Sequence, residues 1–223
     1  RCYLSVIRSN RVHLHVAKIV STGSNSGGFM SRIPYATDGK YTLYQLDDTD
    51  RESYVELHRQ VNGENSLFLK PSTADIMWDG TIKSGNMIYS IFDSNNDYCG
   101  STELQNPDSN TPEIGIDLME NKRNQGIAAK VVKMLVKKVC QERNVEYFLI
   151  RISSRNTHSR HVFEKMGAIY MGEEANMFKK LIKKLNDDGI ELPKDCQDII
   201  QNCFDEEDDE VINRYKLLPY VFD

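Results

Sequence analysis

Glu113-Ile114-Gly115-Ile116-Asp117-Leu118-Met119-Glu120-Asn121-Lys122-Arg123-Asn124-Gln125-Gly126-Ile127-Ala128 is the stretch on which the fold turns. Its first six residues alternate strictly: Ile114, Ile116 and Leu118 share one face, and Glu113, Gly115 and Asp117 share the other, as in a half-buried strand. The spacing then changes. Ile127, Val131, Met134, Leu135 and Val139 recur at helical intervals, while Lys130, Lys133 and Lys137 line a solvated side, predicting a helix over about 125–142. Between them lies a short polar loop entering a helix start. A helix N-terminus offers unpaired N–H groups and a partial positive charge, and a tight entering loop converges them on an anion. Gly126 lets the backbone approach a ligand with no Cβ in the way, and Ala128 is small. A glycine beside a helix start also serves plain capping, so the loop alone leaves both readings open.

Working outward, Tyr147 to Ile152 is a short apolar run of buried-strand type, and a helix over 156–166 ends before Gly167. Another strand follows at Ala168 to Gly172. Upstream, strands are predicted at 41–46, 87–92 and 98–104, with a turn at Asp93 to Asp97. A helix follows N-cap choices at Asp47 to Asp50 and runs through Tyr54 and His58. Residues 63–85 give no clear element, and Trp78 among them is read as core. Strand, helix, strand, helix, strand at short spacing implies a mixed α/β fold with a parallel crossover.

The ends depart from this rhythm. Residues 11–20 read as a strand, 21–28 as a flexible linker, and Met30 as the natural start, so 1–30 is expected to be an appended or linker segment, the alternative being a genuine extra strand that pairs with the domain or with a neighbouring copy. Residues 31–223 are expected to form one domain, with a helical insertion at about 175–210 before a last strand at 211–218. That insertion is where substrate selection or a homodimer contact is expected. Its acidic run, Asp205 to Glu210, is read first as a solvated loop, the alternative being attraction of a polyamine, aminoglycoside or basic peptide.

Composition narrows the classes. With 28 Lys and Arg against 33 Asp and Glu, the formal charge is −5, without the clustered basic surface that nucleic-acid binding needs. No apolar run reaches the ~18–20 residues of a membrane span, and the start lacks a secretory layout, so the cytoplasm is the default compartment. Five cysteines, none in a Cys-x-x-Cys pair, suggest neither disulfides nor zinc. His13 and His15 share a strand face but lack a third ligand, so no metal is expected.

Arg123-x-x-Gly126-x-Ala128 after Glu113-Ile114-Gly115 resembles the [Q/R]-x-x-G-x-[G/A] signature of the GNAT acetyltransferase superfamily. About thirty residues on, Asn156-Thr157-His158-Ser159 and Phe163-Glu164-Lys165-Met166-Gly167-Ala168 resemble its second block. The similarity covers 113–172, with weaker agreement of element order back to 41. The nearest branch includes ribosomal-protein N-terminal and spermidine acetyltransferases.

The resemblance implies a central, twisted, mostly antiparallel sheet with a parallel crossover at the cofactor site, flanked by helices. It implies acetyl-CoA as co-substrate and a primary amine as acceptor: a polyamine, an aminoglycoside-type amine, or a peptide or protein N-terminus. By the same resemblance, Leu118 and Met119 offer backbone groups to the pantetheine arm. The amides of Arg123, Asn124, Gln125, Gly126, Ile127 and Ala128 hold the pyrophosphate, and Asn156 meets the cofactor further along. Lys165 either reaches a phosphate or is plain surface. Glu113 is the candidate base, or else a solvated or ion-paired strand-end carboxylate. Many relatives carry a proton-donating tyrosine where this chain has Phe163, which can only pack beneath the cofactor; Tyr170 or water would then reprotonate the thiolate. Because of that departure, a catalytically silent acyl-CoA-binding module stands as the alternative to an enzyme.

Overall fold

The computed structural model describes residues 32–63, 66–175 and 211–222, with isolated positions at 187, 189 and 194. The expected N-terminal segment, the histidines at 13 and 15, the helices of the 175–210 insertion and its acidic run lie outside the described residues.

Twelve elements order the described chain: β1 (Ala36–Thr37), β2 (Tyr41–Gln45), α1 (Arg51–Asn62), α2 (Ala74–Ile82), β3 (Met87–Asp93), β4 (Tyr98–Gln105), β5 (Glu113–Leu118), α3 (Ile127–Glu142), β6 (Phe148–Ser153), α4 (Thr157–Lys165), β7 (Ile169–Ala175) and β8 (Val211–Leu217). The strands make one sheet in the order β1-β2-β3-β4-β5-β6-β8-β7. Every neighbouring pair is antiparallel except β5 and β6. The mixed α/β architecture expected from element order is therefore present, with its parallel pair where the crossover through α3 was expected.

Local sequence accounts for most element starts. Asp47 accepts from the Thr49 amide at 2.9 Å, and Asp50 reaches back to the Asp47 amide, a capping box that launches the turn leading into α1. α2 falls within the stretch where the sequence pattern is weak. Its Met77 and Trp78 are buried, but Gly80 and flanking polar residues blur the helical period. Trp78 is core, as read, and its indole N–H donates to Asp48 Oδ1 at 2.9 Å.

Each face of the sheet has its own core. On one, α3 packs Ile127, Val131, Val132, Leu135, Val136 and Val139 against Leu104, Ile114, Phe148 and Ile150. On the other, α1 and α2 bring Tyr54, Met77 and Trp78 onto Leu46, Phe68 and Ile88. His58 of α1 is buried there, its ring 4.5 Å from Phe68 and 4.6 Å from Tyr54.

Burial pushes the His58 imidazole down to about 4, because charging it would strand an ammonium-like group among aromatic rings. The folded protein holds the neutral ring while the unfolded chain protonates it near 6.5. Stability from this group is complete above pH 6.5 and is lost as pH falls toward 4, by on the order of 3 kcal/mol. Urea unfolding between pH 7 and 4 is expected to show that decline. His58→Leu should flatten it, and an unchanged slope in that variant would assign the decline elsewhere.

A gap in the sheet and the loop at its mouth

Two neighbouring strands that should pair along their length instead separate. β5 and β6 are each six residues long, yet a single register pair, Glu113 with Leu149, joins them, beside a bond from the Leu149 amide to the Pro112 carbonyl at 2.9 Å. β5 stays bound to β4 throughout, from Gln105–Glu113 to Gly100–Leu118. β6 stays bound to β8. The sheet thus opens between β5 and β6 from Glu113 onward.

The backbone at the open end can be assigned. The Met119 amide donates to the Cys99 carbonyl on β4 at 3.0 Å, and the Met119 carbonyl accepts from Lys122. Alternation along an extended chain then turns the Leu118 N–H the other way, into the gap. Of the two positions read as offering backbone groups, Leu118 keeps a donor facing the gap, whereas both groups of Met119 are engaged. The Leu118 carbonyl is also held, by Arg123 Nε at 3.0 Å, which pins the loop to the end of β5.

From there a short 3-10 turn, Glu120–Lys122, leads into the loop. The Glu120 amide donates to Gln60 Oε1 at 2.8 Å, tying the turn to α1, and Lys122 Nζ binds Asp93 Oδ2 at 2.8 Å on the β3–β4 hairpin. Asn124 and Gly126 both take positive φ, 61° and 73°, so the chain reverses its curl twice within three residues. Asparagine and glycine are the residues that accept this conformation. Gly126 is the N-cap of α3, and no side chain caps the helix. Nothing lies within 4 Å of the place a Cβ would occupy at Gly126. Among the described residues no side chain therefore caps the first amides of this sixteen-residue helix, and such amides suit an anion.

The second block packs beneath. Asn156 is the N-cap of α4, its Oδ1 accepting from the Ser159 amide at 3.1 Å. Phe163 is 4% exposed and belongs to the α3-side core. Tyr170 is exposed on β7, its ring edge-on to Tyr215 at 5.5 Å. Tyr215 itself donates to Glu164 Oε1 at 3.0 Å.

Glu113 sits at the closed end of the gap. It is buried, and Arg151 Nη1 lies 2.8 Å from its Oε2. Arg151 Nε lies 2.9 Å from Glu174 Oε1, close as an ion pair but poorly aligned as a hydrogen bond. Two further carboxylates share this sheet face: Asp117, and Glu103 on β4. Asp117 is visible in the β5 alternation; Glu103 is not, because only the β4–β5 register brings it alongside. Burial pushes Glu103 up to about 7 against the donors Gln105 and Asn86, and Asp117 up to about 6 against the guanidinium of Arg123. Among the described residues, no three or more His, Cys, Asp or Glu are grouped so as to hold a metal. No helix there is long and apolar enough to cross a membrane.

A mostly antiparallel sheet split at its one parallel pair, with an uncapped helix start at the mouth, suits a protein that threads a long anionic ligand through the gap. Residues 40–169, more than half of the chain, match the model of the acetyltransferase (GNAT) domain, and the chain belongs to that family, as an acetyl-CoA-dependent N-acetyltransferase. A search of curated proteins finds no match. Among solved structures, the spermidine N-acetyltransferase of Vibrio cholerae in complex with CoA and spermine superposes with a TM-score of 0.59 at 14% identity, covering 83% of this chain and 99% of that one. The dodecameric form of the Vibrio cholerae enzyme gives 0.57 at 14%, covering 82% and 95%. A chimera of it with hSSAT gives 0.58 at 14%, covering 82% and 98%. At such identities these likenesses speak for the fold.

Proposed function

We propose that this chain transfers the acetyl group of acetyl-CoA to the primary amine of a small cationic molecule, by direct attack while both substrates are bound. The gap between β5 and β6 carries this reading, because it presents a Leu118 N–H unpaired among the described residues, at the end of the strand that leads into a helix start with no side-chain cap there. In this arrangement the amides from Arg123 to Ala128 hold the pyrophosphate. The Leu118 N–H polarises the thioester carbonyl and stabilises the oxygen as it gains charge. Phe163 packs beneath, and Asn156 orients α4 while its amide lies near the cofactor arm. The proton for the leaving sulfur comes from the amine itself or from water.

Acidic residues on the α1 face favour a cationic acceptor over a neutral one. The solved relatives include a complex with spermine, and a polyamine is accordingly the first acceptor to try. Holding both substrates in line supplies much of the rate in such a reaction. Sequence puts Glu113 forward for the acceptor's proton, and its pairing with Arg151 holds it at the closed end of the gap.

Thiol release from acetyl-CoA is the deciding measurement, with a panel of spermidine, spermine, an aminoglycoside and a peptide with a free N-terminus. Turnover is expected with the polyamines, and slower turnover or none with the peptide. Calorimetry showing CoA binding without thiol release from any amine would favour the silent acyl-CoA-binding module instead.

A further inference from the structure

On the face beneath α1, cross-strand partners on β4 and β5 are Ser101 with Asp117, Glu103 with Gly115, and Gln105 with Glu113. Three carboxylates thus lie on one small area, and their surroundings differ. Glu113 is paired with Arg151. Glu103 accepts from Asn86 Nδ2 at 2.7 Å and from Gln105 Nε2 at 3.1 Å. No hydrogen bond or short ion pair reaches the Asp117 carboxylate among the described residues. Asp117 is nevertheless deep in the protein, keeping only partial contact with solvent. An unpaired carboxylate at such depth is costly unless a ligand meets it.

Beside Asp117, Gly115 has no side chain, and Glu103 lies alongside, 3.9 Å from where a Cβ on Gly115 would stand. A bulge between β3 and β4, where Ile91 faces Gly100 but Phe92 faces Tyr98, switches Tyr98 onto this face. The Tyr98 hydroxyl is buried beside Ser90 and Ser101, and Tyr54 of α1 is close enough to feel the charges of Glu103 and Asp117.

Position completes the case. Asp117 immediately precedes Leu118, whose N–H points into the gap, and its side chain lies on the α1 face while α3 covers the opposite one. A donor entering from the α3 side and an amine entering from the α1 side would meet at this residue. Glu113 lies four residues back, about 13 Å along the strand.

We propose that Asp117 accepts the proton of the incoming ammonium, which reaches it on the α1 face of the sheet beside Glu103. This rests on the acetyl-transfer reading above. The Asp117 carboxylate takes one proton from R–NH3+. The freed nitrogen lone pair forms the C–N bond to the thioester carbonyl carbon, and the C–S bond breaks with its electron pair on sulfur. The nitrogen's surplus proton goes to that sulfur, giving the amide and the CoA thiol, and Asp117 returns its proton to solvent. Burial favours a protonated Asp117 and the guanidinium of Arg123 opposes it; a group poised near 6 accepts a proton and still releases it.

The test is the pH profile of thiol release for wild type, Asp117→Asn, Asp117→Glu and Glu113→Gln, using the fastest amine of the panel, with CoA calorimetry on each. Asp117→Asn is expected to lower kcat by roughly 100-fold or more and to remove the acid limb near pH 6, with CoA affinity unchanged. Asp117→Glu should restore part of the rate with a displaced limb, and Glu113→Gln should keep the limb where it is. A wild type that turns over while Asp117→Asn retains both its rate and its limb overturns the assignment and leaves acetyl transfer standing. A wild type that binds CoA yet releases no thiol overturns both.

Discussion

Gly126→Val is expected to cost the protein roughly 100-fold or more in CoA affinity while leaving it folded. Gly126 has φ +73° at the N-cap of α3, and a β-branched residue is the poorest substitute there, since the left-handed region costs an L-residue about 1–2 kcal/mol even without branching. No atom of the described residues lies within 4 Å of the new Cβ, so they add no packing clash to the strain, and the fold should survive. What the side chain does occupy is the approach to the helix amides. Relief of the strain would pull Ile127 and Ala128 out of line with the anion, and the branched side chain would screen them. About 2.8 kcal/mol of lost binding corresponds to the expected factor. Calorimetry with CoA reads it directly, and Gly126→Asn separates the two causes, because asparagine tolerates the conformation and keeps a side chain. Wild-type affinity in Gly126→Val would remove the pyrophosphate from this loop.

Gly100→Ala should be the most damaging single-methyl change in the described fold. At φ +148°, a Cβ on Gly100 would fall inside the van der Waals radius of the Asp117 carbonyl oxygen and 2.9 Å from Leu118 Cα. Both atoms are backbone, so no side chain can swing aside; β4 and β5 must move apart at the open end of the gap. A loss of several kcal/mol is expected, in line with forced backbone displacement at a special conformation. The displaced atoms flank the Leu118 N–H, so activity should fall further than stability alone explains. Thermal unfolding with and without CoA measures both. A melting temperature within a degree or two of wild type would mean that the β4–β5 register at Gly100 is looser than the structure shows.

These two glycines differ in how far sequence alone could reach them. Gly126 sits in a recognisable spacing, Arg123-x-x-Gly126-x-Ala128, and a helix start betrays itself by the switch from a period of two to one of 3.6. Gly100 lies in a strand where nothing local marks it, because its constraint comes from Asp117 and Leu118 across the ladder. α2 escaped for a related reason: Met77 and Trp78 are buried by contacts with α1 and the sheet, while their own neighbours blur the amphipathic pattern. The two-residue β1 is too short to carry any pattern at all. Val211 to Leu217 was legible as a strand, but its insertion between β6 and β7 was not, since register belongs to pairs of strands rather than to either one.

The sequence by itself determined the mixed α/β class, the order of most elements from 41 to 172, and the loop from Arg123 to Ala128 as the entry to a helix start. Those features are local: they depend on periodicity, on capping and on residues that tolerate a left-handed backbone, all readable within a few positions. Only the tertiary structure decided that β5 and β6 part after Glu113, that Met119 is engaged while the Leu118 N–H is not, and that Glu103 stands beside Asp117. It alone showed Glu113 paired with Arg151. Each of these depends on which strand lies next to which and in what register, and on how much water burial removes from a carboxylate. Such quantities are set by residues far apart in the chain, and a single sequence does not carry them on its surface.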